Sequence, residues 1–132
     1  QEEMPDCFQL EEEEGVCHYP IELSWHKTVL TKQFQFEKDR SIAYLDADKV
    51  SFPLILRRRK EGDWFIPFGM KGRKKVSDYF MDQKLNRFQK EQTWILCSGD
   101  DIVWIVGQRS DNRFRITSDS QNILMLKFSQ QI

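Results

Sequence analysis

The residues of this sequence best suited to chemistry lie at Gly69-Met-Lys-Gly-Arg-Lys-Lys75, and the chemistry they suit is the binding of an anion. Gly69 and Gly72 stand three apart, and a glycine lets backbone approach a phosphate closely because no Cβ intervenes. Lys71, Arg73, Lys74 and Lys75 supply four cations within five residues. The spacing predicts a helix from about Lys75, and the free N–H groups at a helix start also favour an anion. Arg57-Arg-Arg-Lys60 adds to the case, because alternate residues of a strand would present two of these cations on one face.

Charge along the chain is polarised in the same sense. The formal net charge is −1 over 132 residues, yet residues 57–90 hold eleven Lys and Arg against four Asp and Glu, a local +7. Residues 1–20 hold seven carboxylates and no Lys or Arg. This distribution, rather than the isoelectric point, bears on polyanion binding. A G-x-x-G loop clamps nucleic-acid backbone in KH domains, although no pair of helices of that kind flanks this one. A solvated tight turn with a charged flank accounts for the same residues, and from residue types alone the two readings are even.

Catalytic signatures are missing. The sequence has no G-x-x-x-x-G-K-S/T, G-x-S-x-G or H-E-x-x-H. His18 and His26 have no constellation around them, and Asp100-Asp101 falls in a turn. Cys7, Cys17 and Cys97 are an odd count with no C-x-x-C, which reads as reduced structural thiols in a cytoplasmic protein. Cys7, Cys17, His18 and His26 match no zinc spacing, so no metal is expected. No apolar run approaches the roughly 20 residues that cross a bilayer, and the N-terminus lacks the regions of a signal peptide.

The elements that would position the basic loop are mostly strands. Val16–Trp25 reads as one or two strands broken at Pro20, Phe34-Gln-Phe36 as a half-buried strand, and Ala43–Leu45 as another. Phe52–Leu56 is a strand whose proline suggests an edge or a start. Val76, Tyr79 and Phe80 lie at i, i+3 and i+4, which predicts a helix over about 75–84 with the Lys84 stem extending its face and Asp78 near its positive end. Trp94–Cys97, a turn at Ser98–Asp101, and Ile102–Val106 read as a hairpin. Ser110–Asn112 is a further turn, and Ile123–Phe128 is a final strand with Leu124, Leu126 and Phe128 on one face. The result is one α+β domain dominated by strands.

Several ordered blocks then resemble a known family. Gly62–Phe65, Pro67–Phe80, Asp82–Lys84 and Ile102–Ile116 closely resemble the C-terminal domain of bacterial tRNA(Ile)-lysidine synthases, over about residues 54–117. Trp94 departs from the family pattern where proline is expected, and Lys90 where arginine is. The resemblance implies a β-sandwich of unusual topology with a packed helix, similar to a domain of the phenylalanyl-tRNA synthetase β-subunit. Residues 51–132 would form the family's domain, and residues 1–50 a β-rich part of the same C-terminal region.

It also implies an ATP-dependent ligase that joins lysine to the wobble cytidine of tRNA(Ile), using ATP and Mg. The Ser-Gly-Gly-x-Asp-Ser loop needed for that step is absent, since none of the six glycines is followed by another. The catalytic domain is therefore expected upstream of Gln1, with no catalytic residue and no bound cofactor in this chain. By the resemblance, Lys71, Arg73, Lys74 and Lys75 contact acceptor-stem phosphates, with Lys84, Arg87, Arg109 and Arg113 as secondary candidates and Gly69 and Gly72 as close-approach positions. Asp63, Asp78 and Asp82 would be caps or ion-pair partners, and Phe65, Phe68, Val76, Phe80, Val103 and Ile105 core. The alternative is a protein–protein module that pairs two copies of the enzyme, with the basic stretch merely solvated.

Overall fold

Alternating side chains divide the apolar residues of this chain between two cores, one on each face of a central sheet. The structure, a computed structural model, describes residues 7–129. The strands and helices run β1 (Cys7–Leu10), β2 (Gly15–Cys17), β3 (Glu22–Val29), β4 (Ile42–Asp46), β5 (Leu54–Arg57), β6 (Trp64–Phe65), β7 (Lys74–Lys75), α1 (Val76–Asp82), α2 (Arg87–Gln92), β8 (Ile95–Ser98), β9 (Asp101–Ile105), β10 (Arg109–Ser110) and β11 (Asn122–Ser129). Five strands form an antiparallel sheet in the order β1-β5-β8-β9-β10, four form a second in the order β2-β3-β11-β4, and β6 and β7 pair alone.

Leu54, Leu56, Leu96 and Trp104 point from the five-stranded sheet towards the four-stranded one, meeting Leu23, Trp25, Leu45, Leu124 and Leu126. Ile55, Ile95, Cys97, Ile102 and Ile105 point the other way, onto Phe65 and onto Val76, Tyr79 and Phe80 of α1. The central sheet is thus covered on both sides, which is why β8 and β9 read as continuous apolar runs rather than alternating ones. The mostly β sandwich with a packed helix expected from the sequence is the fold found. Strands on both sides of residue 50 share each sheet: β1 pairs with β5, and β11 lies between β3 and β4. The Cys97 thiol sits between the central sheet and α1, where burial pushes its pKa up to about 11, so it stays protonated as an inert core group.

The ladder between β8 and β9 carries one irregularity. Leu96 pairs with Trp104 but Cys97 pairs with Ile102, so Val103 is an extra residue in the ladder. Such a bulge leaves its backbone without a strand partner. The Val103 carbonyl is satisfied instead by the N–H of Asp111, at 2.9 Å.

Three local expectations are corrected. Phe34-Gln-Phe36 is not a strand: Phe34, Phe36 and Tyr44 pack edge-on with ring centroids 4.9–5.8 Å apart, so the alternation comes from rings meeting one another rather than a sheet. The α1 helix stops at Asp82, short of Lys84. Lys84 has φ +57°, its N–H donates to Met81 O, and Leu85 N–H reaches back to Phe80 O. This is the Schellman ending, with Lys84 in the left-handed position that glycine usually fills, so its stem cannot extend the helical face. The edge alternative for β5 also fails, because Pro53 precedes a strand that lies between β1 and β8. A second helix, α2, has no counterpart among the expected elements; Asn86 and Gln89 form a reciprocal capping box at its start, and none of its residues is buried.

The two sides of α1 generate a test. Phe80 is 1% exposed and Met81 70% exposed. Phe80→Ala should cost about 3–5 kcal/mol of unfolding free energy in a denaturant titration, and Met81→Ala no more than about 0.5 kcal/mol. Equal effects would mean that α1 does not pack as described.

Candidate nucleic-acid interface

The first half of the loop that joins β6 to β7, Ile66–Gly69, is strapped to β10 and the turn after it. Ile66 N–H donates to Asp111 Oδ2 (2.9 Å), Asn112 N–H donates to Ile66 O (2.7 Å), and Phe68 N–H donates to Ser110 O (2.9 Å). Gly69 N–H donates to Asn112 Oδ1 (3.0 Å), and Arg109 Nη2 donates to Phe68 O (2.7 Å). Within the loop, Met70 N–H closes onto Pro67 O (2.8 Å) and Gly69 takes φ +87°, the conformation a turn requires at its third position. Gly69 is therefore demanded by the fold. Gly72 is not, since a Cβ there would meet nothing within 4 Å.

Asp111 is fully buried and anchors these straps. It accepts from Arg113 Nε and Nη2 (both 2.9 Å) and from the Arg113 N–H (2.8 Å). Arg113 also reaches Asp101 at 3.2 Å and lies 4.7 Å from the Trp64 ring centroid. The hydrogen bonds to Asp111 raise the Arg113 pKa further, so this guanidinium is permanently charged. Arg73 stacks on the same Trp64 ring at 4.0 Å. Below the loop, Arg57 grips Asp63 through two hydrogen bonds (2.9 and 3.0 Å), and Asp63 O accepts from Val76 N–H (2.9 Å), tying β5 to the start of α1.

The eight cations expected to bind separate into two groups. Lys71, Arg73, Lys74 and Lys75 lie together on the loop and β7, with Arg109 and Arg113 directly behind them. Lys84 and Arg87 stand beyond the far end of α1, ~10 Å along its axis. Several are committed inside the fold: Lys74 pairs with Asp82, Arg87 with Glu91, Arg113 with Asp111, and Arg109 with the loop backbone. Lys71, Arg73 and Lys75 are exposed and form no carboxylate pair among the described residues.

Other expectations change here. Arg57–Lys60 does not present alternate cations on a strand, because β5 ends at Arg57; Arg57 faces Asp63, Arg58 stacks 4.0 Å from the Trp94 ring centroid and donates to Glu91 O, and Arg59 lies 5.9 Å from that of Phe80. The first N–H of α1 is taken by Asp63 O, so it is not offered to an anion. Asp63 and Asp82 are ion-pair partners as expected, whereas Asp78 lies exposed in the first turn of α1. Phe68 is 50% exposed rather than core, because its turn projects off the sheet. Trp64, Asp111 and Asn112 are site residues that sequence reasoning misses; the alternation Arg109-x-Asp111-x-Arg113 carries the signal for Asp111, since a carboxylate between two arginines suits a charge-paired support.

Comparison with known proteins bears on the family and the fold. The family described as "TilS substrate C-terminal domain" matches residues 54–127, more than half of the chain. This chain belongs to that family. A tRNA(Ile)-lysidine synthase of Parabacteroides distasonis is 61% identical over 92% of this chain and 28% of its own length. Those of Bacteroides thetaiotaomicron and Clostridium acetobutylicum are 41% and 36% identical over 82% and 76% of this chain, and 25% and 22% of their own lengths. The chain thus spans about a quarter of the relatives it matches. A crystal structure of a TilS C-terminal domain superposes with a TM-score of 0.72 over 92% of this chain and 95% of that one; at 19% identity it speaks for the fold.

The Arg57–Asp63 pair should be visible in the acid response of this family member. Burial alone would raise the Asp63 carboxyl, but the Arg57 guanidinium and the Lys60 N–H outweigh it and hold the pKa below the usual range. A carboxylate depressed in the fold contributes fully above its unfolded value, about pH 4, and loses its contribution as pH falls through the folded value. Asp63→Asn should lower stability at pH 7 by about 1–3 kcal/mol and flatten the loss of stability on acidification below about pH 4. Parallel stability curves for the two proteins would remove this pair from the acid response.

Proposed function

We propose that this chain is the tRNA-binding C-terminal part of a tRNA(Ile)-lysidine synthase acting in the cytoplasm. It holds the acceptor stem and body of tRNA(Ile), while ATP, Mg and L-lysine are handled by the part of the protein outside this chain. The share of the relatives that the chain spans supports that division, as does the missing Ser-Gly-Gly loop.

The observation that carries the reading is the loop Gly69–Lys75, tied down at Gly69 and again where Lys74 and Lys75 pair with β6, which offers Lys71, Arg73 and Lys75 to solvent without carboxylate partners among the described residues. Five ties join Ile66–Gly69 to residues 109–112, so the base of the loop has little backbone freedom to lose on binding, and such preorganisation lowers the cost of association. Cations on a short loop fix position against phosphates and carry no base code, so the contact orients the RNA rather than reading it. Exposed Met81 (70%) and Phe88 (68%) favour a second reading, in which the helical side joins two copies of the protein as a homodimer.

The test is a salt titration of tRNA(Ile) binding. Lys71, Arg73 and Lys75 changed together to Ala should weaken binding by about tenfold or more and reduce the slope of log K against log salt by about 2–3, at 0.7–0.9 per phosphate contact. The reduction should be alike for different acceptor-stem sequences. Lys27, Lys32 and Lys49 changed to Ala remove the same charge from outside the basic stretch and should do far less. Equal losses would leave only bulk charge, and no loss in either would move the homodimer reading to first place.

A further inference from the structure

We propose that the cleft beside the basic loop takes an unpaired nucleotide of the single-stranded 3′ end that continues from the acceptor stem. This deepens the tRNA-binding reading and rests on it. The cleft has a volume of about 650 Å³ and lies between the segment before β4 and the end of β9 with β10. That size is mid-range for small-ligand sites and sufficient for about one nucleotide.

Its lining is what an unstacked base requires. Phe36 and Phe68 stand at its mouth, 49% and 50% exposed, and such large exposed rings leave stacking surface unused. Phe36 is fixed by edge-on contact with Phe34 and Tyr44 (ring centroids 4.9 Å from each), and the Tyr44 hydroxyl accepts from Glu37 N–H at 3.0 Å. The Phe36 ring is therefore placed in advance, and Phe68 is held there by its backbone, through its N–H on Ser110 O and its carbonyl under Arg109. Trp104, 1% exposed, contributes to the wall. Proteins that hold single-stranded nucleic acid use this combination of aromatic faces with cations along the backbone path.

The charges agree with a nucleotide rather than an apolar peptide. Lys38, Arg40 and Arg109 border the cleft against Glu37 and Asp39, a surplus of one positive charge, and Asp39 Oδ1 accepts from Ser41, through its N–H at 2.9 Å and its hydroxyl at 2.7 Å. Most telling is continuity with the phosphate loop. Phe68 precedes Gly69 directly, and Arg109, which borders the cleft, also donates to Phe68 O. A strand whose last paired phosphates sit on Lys71 and Arg73 has its next, unpaired base within reach of Phe68. Every base has a π-face, so the cleft discriminates paired from unpaired RNA and not one base from another.

The experiment compares two tRNA(Ile) transcripts, one complete and one ending at the last acceptor-stem base pair, for binding to the wild-type chain and to paired variants at Phe36 and Phe68. Phe→Leu at both sites keeps apolar bulk without rings, and Phe→Tyr keeps the rings. Loss of stacking on one base corresponds to about tenfold or more in affinity. The Leu pair should lose that on the complete transcript, match wild type on the truncated one, and leave the salt slope unchanged; the Tyr pair should bind both as wild type does. A far-UV spectrum and melting temperature close to wild type show that the variants are folded.

Wild-type affinity of the Leu pair for both transcripts would overturn the proposal while leaving the loop reading intact, since that reading is tested by the salt slope. Equal loss on both transcripts would also overturn it, by assigning the rings to the helical stem. A wild-type dimer that the Leu pair converts to monomer in sedimentation would give the cleft to a second copy of the chain. No binding of either transcript by wild type would overturn the tRNA-binding reading itself.

Discussion

Asp111 has no exposed surface, and its charge is tolerable only because the Arg113 guanidinium and two backbone N–H groups lie on it within 3 Å. Breaking such a pair by removing one partner costs about 3–5 kcal/mol, towards the lower end here because the Arg113 side chain is 29% exposed. Its position matters more than its energy. Asp111 N–H satisfies the bulged Val103 carbonyl, its side chain holds the Ile66 N–H, and its partner Arg113 meets the Trp64 ring on which Arg73 stacks. The bulge in the central sheet, the start of the loop and the orientation of one outward cation are therefore one connected arrangement. An isosteric amide at 111 would keep the shape and lose the charge that makes it rigid.

The basic stretch illustrates why net charge is a poor guide to binding. Of its eleven cations, Arg57 and Lys74 are paired to carboxylates within the stretch, Arg58 and Arg59 lie over aromatic rings, and Arg87 pairs along its own helix. What stays outward at the loop is a short set, Lys71, Arg73 and Lys75. Trp94 belongs to this internal use of charge: it is 3% exposed, receives Arg58 at 4.0 Å, and meets the Phe8 ring edge-on at 5.7 Å. Its ring thus couples β1 to the region before β8.

Much of the fold was legible because burial is periodic. The buried face of α1 and the alternation in β11 show it, while the β8–β9 hairpin was legible instead as two continuous apolar runs around a turn, being covered on both faces. Phe34-Gln-Phe36 failed because three alternating residues cannot distinguish a strand from a small cluster of rings. Helix α2 was hidden because none of its residues is buried, so it has no apolar stripe, and only the Asn86–Gln89 box marks it. The basic loop was visible as composition, but its support was not. Beyond the Arg109-x-Asp111-x-Arg113 alternation, the hydrogen bonds that Asp111 and Asn112 accept from residues more than forty positions away leave no local pattern to read.

The central claim is that Gly69–Lys75 is a preformed surface for RNA backbone. Amide chemical shifts of the isotope-labelled chain, followed during titration with an acceptor-stem hairpin, test it most directly. The account predicts the largest changes at Gly69–Lys75 and Arg109–Arg113, with hydrogen-exchange protection of the Ile66 and Gly69 amides already present before RNA is added. Changes confined to β3 and β11, or Ile66 and Gly69 amides that become protected only when RNA binds, would contradict it.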